Sequence, residues 1–73
     1  MSNADELFEE MGYVKVHDKN HIYYNNRELD CTIEFDLNRR LICIGNEDNY
    51  VSYCTMQELK AINKKCEELG WLQ

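Results

Sequence analysis

Proline is absent from this 73-residue chain, and glycine occurs only three times. With so little glycine there is no Gly-rich loop of the kind that cradles phosphates. No apolar run approaches the ~18 residues that a membrane span needs. The opening stretch, MSNADELFEE, is acidic and has no apolar core of a secretory signal. Positive charge is scarce: eight Lys and Arg against 14 Asp and Glu, a net charge of −6. Direct nucleic-acid binding requires a basic patch that releases phosphate counterions, and none is present. Arg39-Arg40 is the one adjacent arginine pair, and Lys64-Lys65 is followed at once by Cys66 and Glu67-Glu68. Internal repeats and C-x-x-C knuckles are missing as well.

What is present describes one small folded domain over residues 1–73. Hydrophobic residues make up 44% of the chain and many are β-branched or aromatic, which excludes a disordered tail. A domain of this length buries only about 60% of its unfolded surface. Such domains often rely on a staple or a partner subunit.

The negative charge is unevenly placed. Residues 1–36 carry nine acids and three bases, whereas residues 37–73 carry five of each. The whole excess therefore lies in the first half, either for solubility or as a surface that competes for a basic, nucleic-acid-binding partner. Cys31, Cys43, Cys54 and Cys66 are separated by 11, 10 and 11 residues, without the paired spacing of a zinc site. Each falls on an apolar position of the pattern, so buried, reduced cysteines and no metal or other cofactor are expected. The absence of a secretory signal points to the cytoplasm.

Ala4, Leu7, Phe8 and Met11 follow the spacing of one helix face, which predicts a helix over 3–11 with Ser2 as its cap, Asp5 three residues later and Gly12 as its stop. Residues 13–17 and 21–25 read as a hairpin. Residues 29–36, LDCTIEFD, alternate most clearly: Leu29, Cys31, Ile33 and Phe35 inward, Asp30, Thr32, Glu34 and Asp36 outward. Residues 41–45, LICIG, are apolar on both faces and read as a central strand or one facing a partner. A last short strand is expected over 50–54. Thr55 and Glu58 form a capping box for a closing helix that buries Leu59, Ile62, Cys66 and Leu69, ends at Gly70, and is followed by Trp71 as a core or lid aromatic. The order α-β-β-β-β-(β)-α, with short links, predicts an α+β fold: an antiparallel meander with both helices on one face.

Little in the pattern suits catalysis. His17 and His21 flank a turn and read as a solvated pair. Ser52 and Cys54 have no histidine near them in sequence, and a domain this small has little room for a pocket of roughly 300 Å³ or more. No enzymatic activity is expected. The tyrosines carry more information. Tyr23 and Tyr24 must point to opposite faces, as must Tyr50 and Tyr53, so at least two lie away from the helices. Tyrosine is a favoured interface residue. With the acids Glu28, Asp30, Glu34 and Asp36, these four tyrosines form the expected partner-binding set. The uncovered side of strand 41–45 further predicts a homodimer, while no direct contact with nucleic acid or membrane is expected.

The two ends of the chain, ADELFEEMGYVKV (4–16) and YCTMQELKAINKKCEELGW (53–71), resemble a group of small proteins encoded in phages and prophages of Gram-positive bacteria. Met11-Gly12-Tyr13 and the TMQEL…ELGW helix carry the resemblance. It implies a phage-linked protein of the host cytoplasm and transfers no site residue. The expected function is a non-enzymatic accessory protein that binds another protein, as an inhibitor of a host nucleic-acid-binding or defence factor. The alternative is a self-assembling structural protein with no inhibitory role.

Overall fold

The computed structural model describes residues 2–46 and 54–72. Its elements are α1 (Ala4–Glu10), β1 (Val14–His17), β2 (His21–Asn26), β3 (Cys31–Asp36), β4 (Leu41–Gly45) and α2 (Met56–Glu68). The four strands form an antiparallel sheet in the order β1-β2-β3-β4, with both helices on one face. This is the expected α+β meander. The strand expected over 50–54 lies, apart from Cys54, outside the described residues.

The cap of α1 is one residue later than the sequence pattern implies. Asn3 rather than Ser2 accepts from the Glu6 N–H at 2.8 Å, and the Glu6 carboxylate accepts from the Asn3 N–H at 2.9 Å. Glu6 closes a full capping box, which the shorter Asp5 side chain does not do. Asp5 is instead drawn toward Tyr24, Lys15 and Lys65. At the other end Gly12 takes φ +92°. A Cβ there would also lie 3.3 Å from Nδ2 of Asn26, which donates to the Met11 carbonyl at 3.0 Å.

The core is aromatic. Phe8 is fully buried and stacks on Tyr24 with ring centroids 3.9 Å apart. Phe35 meets both rings edge-on, and Trp71 closes over Phe35 at 6.1 Å. Ile22, Ile33, Ala61, Ile62 and Cys66 complete the cluster.

Helix α2 is rotated relative to the expected stripe. Glu58, Ala61, Ile62, Lys65 and Cys66 are buried, while Leu59 is 45% exposed. The cause is polar. Tyr13 donates to Glu58 Oε2 at 2.5 Å, and Lys65 sits 3.6 Å from Asp5 and 3.9 Å from Glu68. Glu68 in turn accepts the Ala4 N–H at 2.9 Å, so the C-terminal turn of α2 satisfies the N-terminus of an antiparallel α1. These bonds turn two charged residues inward and displace Leu59 outward.

Thr55 caps α2 as expected, accepting the Glu58 N–H at 3.1 Å while Glu58 accepts the Thr55 N–H at 2.8 Å. Thr55→Ala is predicted to cost about 1 kcal/mol. In a domain this small that lowers the melting temperature by about 4–8 °C, and thermal denaturation followed by circular dichroism measures it directly.

Three further expectations change. Leu29 lies in the 27–30 turn, 60% exposed, because Asn26 Oδ1 captures the Leu29 N–H at 3.1 Å and delays β3 until Cys31. Strand β4 is outermost among the described strands rather than central. Cys43 is exposed on it and Cys31 and Cys54 are half-buried, which leaves Cys66 as the buried thiol.

Candidate functional site

Register assigns every strand residue to a face, because directly opposed residues of antiparallel strands share one. Ile22, Tyr24 and Asn26 of β2 oppose Phe35, Ile33 and Cys31 on the helix side. The other face therefore carries Val14 and Val16 from β1, His21, Tyr23 and Asn25 from β2, Thr32, Glu34 and Asp36 from β3, and Leu41 and Cys43 from β4. No described helix covers it. At its centre the residues form a row, Val16–Tyr23–Glu34–Cys43.

The expected partner-binding set is split by this geometry. Tyr23, Glu34 and Asp36 are brought together on the open face. Tyr24 is a core residue, 1% exposed, and its hydroxyl donates to Asp5 at 2.6 Å, so it leaves the surface set. Glu28 and Asp30 stand in the exposed 27–30 turn, Asp30 in the left-handed region at φ +49°. Tyr50 and Tyr53 lie outside the described residues.

Of the face residues absent from the expected set, His21 lies nearest the acids. His21 places Nε2 3.4 Å from Glu34 and 3.7 Å from Asp36, and its ring stacks beside Tyr23 at 5.7 Å. The signal in the sequence was its strand position, one residue before an inward isoleucine. His17 opposes Ile22 and so faces the helix side, and the two imidazoles do not meet.

Asp36 is locked in place. It accepts the N–H groups of Arg39 at 3.0 Å and Asn38 at 3.1 Å. Those bonds, that from Arg39 foremost, with the charges of His21 and Arg39, hold its carboxyl below the usual range. Around Tyr23, desolvation and then the charges of Glu34, Asp18 and Asp36 push the hydroxyl upward. Glu34 stands directly opposite Tyr23, and Asp36 lies on the same face opposite His21. No strand residue on this face is a lysine or arginine. Electrostatically the face is a negative field around a flat π-surface, which attracts cationic groups.

Other constellations are structural. Glu58 and Thr55 border a groove of about 400 Å³ lined by Leu7, Met11, Leu29 and Lys60 among others. That is more room than the length implies, but Glu58 already holds the Tyr13 hydroxyl and the Thr55 N–H. Among the described residues no group of three His, Cys, Asp or Glu side chains is arranged to hold a metal ion, and no helix is long and apolar enough to cross a membrane.

The buried tyrosines make a pH prediction. Burial, followed by hydrogen bonding to Glu58, raises the Tyr13 hydroxyl far above its ordinary value, and burial followed by Asp5 does the same for Tyr24. Their folded values exceed the unfolded value of about 10. The stability they contribute is complete below that value and is lost as pH rises above it. Absorbance titration of tyrosinate is expected to show Tyr13 and Tyr24 ionising only within an alkaline unfolding transition. Smooth ionisation of all five tyrosines before unfolding would contradict this.

Compared with known proteins, the chain matches no family model, no curated protein and no solved structure.

Proposed function

We propose that the chain is a small, acidic, non-enzymatic binding module that docks a basic protein segment on its open sheet face. The observation that carries this reading is the placement of Glu34 directly opposite Tyr23 with Asp36 on the same face, where no strand residue is a lysine or arginine. A lysine or arginine laid over Tyr23 would gain a cation–π contact and the attraction of the surrounding carboxylates. Val16, Leu41 and Cys43 border the acids with exposed apolar surface. Exposed apolar side chains beside the acids give a protein partner surface to bury, which a small ion would not use. Taken with the resemblance to phage-encoded proteins, the partner is a basic host protein of the nucleic-acid-binding or defence class, and occupancy of its basic surface inhibits it.

The test is capture of a basic protein from a Gram-positive host lysate at low and high salt, with Glu34→Lys and Tyr23→Ala variants alongside. Binding is expected to be salt-sensitive and to be lost in both variants while their melting temperatures stay close to that of the parent. Salt-independent capture, or capture that survives Glu34→Lys, would remove the reading.

A further inference from the structure

Strand β1 forms one border of the sheet, and among the described strands only β2 pairs with it. Its hydrogen-bond alternation is set at the hairpin, where the Asp18 N–H donates to the His21 carbonyl at 2.9 Å. Bonded pairs recur at every second residue of an antiparallel ladder. Val16–Tyr23 and Val14–Asn25 are therefore bonded pairs. The N–H and C=O groups of Lys15 and His17 point the other way, out of the sheet. The β2–β3 ladder agrees. The Leu37 N–H donates to the Asn20 carbonyl at 2.9 Å, which commits residues 22 and 24 to β3 and leaves 21, 23 and 25 for β1.

We propose that this border pairs with β1 of a second copy, antiparallel, with the two-fold axis at Val16. Lys15 then opposes His17 of the second copy, and His17 opposes its Lys15. Each pair exchanges two backbone hydrogen bonds, so every outward group of β1 is satisfied. The result is one continuous sheet across both copies.

Four observations favour a second copy as the occupant. The outward groups flank a single residue symmetrically, so the register closes on itself under a two-fold axis. Val16, 48% exposed, meets its own copy at the close spacing of a non-bonded pair on the open face. The edge has no proline to block pairing, and the charge of Lys15 is paired with Asp5 at 2.9 Å on the helix side. Finally, a face-to-face dimer through the open face would set Glu34 and Asp36 against the same acids of the other copy. The edge arrangement leaves that face outward, so this inference stands independently of the proposed function.

Sedimentation equilibrium of the full chain from micromolar to submillimolar concentration is expected to show a mass rising from 8.8 kDa toward twice that value. His17→Pro removes an outward N–H and leaves the β1–β2 ladder untouched. It should weaken association at least about tenfold, as expected for losing backbone hydrogen bonds at the contact, with an unchanged far-ultraviolet circular dichroism spectrum. Val16→Cys, made with Cys43→Ser, should form a 16–16 disulfide under mild oxidation, because non-bonded antiparallel neighbours fall within disulfide reach. A constant mass of 8.8 kDa, a dimer indifferent to His17→Pro, or no 16–16 linkage would each overturn the proposal. Should His17→Pro fail to fold, the cysteine linkage decides.

Discussion

Phe8→Ala is expected to remove a large share of the chain's stability, about 3–5 kcal/mol. Phe8 is fully buried and is the hub of the aromatic cluster, touching Tyr13, Tyr24 and Phe35. Truncating a buried phenylalanine costs about 3–5 kcal/mol, from lost transfer energy and the cavity left behind. A domain of this length has roughly 4–11 kcal/mol in total. Its neighbours cannot collapse into the gap, because Tyr24 is tied by its hydroxyl to Asp5 and Tyr13 by its own to Glu58. The melting temperature should fall by at least about 12 °C. Phe8→Leu, which keeps most of the volume, should lose clearly less. Equal melting curves for Phe8→Ala and the parent would mean that the core is centred elsewhere.

The second large effect concerns Tyr13→Phe. The ring stays and only the hydroxyl is lost, so the packing term is near zero. What remains is a carboxylate, 7% exposed, that has lost its shortest hydrogen bond, 2.5 Å from the tyrosine oxygen. A hydrogen bond to a charged group is worth about 1.5–3 kcal/mol, and the stranded carboxylate makes the upper half of that range the expectation. Glu58→Gln should cost less, because the amide can still accept from Thr55 and donate to the tyrosine oxygen. In a double-mutant cycle, the combined variant should be more stable than the sum of the single losses predicts. Strict additivity would show that the two side chains do not interact.

How much of this was legible in the residues depends on what decides each feature. Periodicity and capping are local, so the element order, β4, the Thr55–Glu58 box and the helix stop at Gly12 could be read directly. Long-range polar bonds are not local. Nothing near Glu58 in sequence indicates that Tyr13, 45 positions away, will draw it inward. The same holds for Lys65 and Asp5. These two attachments rotate α2 and expose Leu59, which an apolar stripe would have buried. Tyr24 illustrates the other limit. Alternation established that Tyr23 and Tyr24 part company, but which one goes inward depends on Phe8 stacking beneath it. The open face was legible in its acids, Glu34 and Asp36, and not in His21, whose contact with them arises from the β2–β3 register.

The bond between the Ala4 N–H and the Glu68 carboxylate spans 64 residues. The meander is assembled from neighbours in sequence, yet its apolar face is roofed by the first helix and the last. During synthesis the hairpins can therefore pair early, while Phe8 and Phe35 wait for Ala61, Ile62 and Cys66 to be translated. Closing that loop is the entropically expensive step. A ribosome stalled before α2 would hold a sheet with an uncovered aromatic surface, the state most exposed to chaperones and proteases.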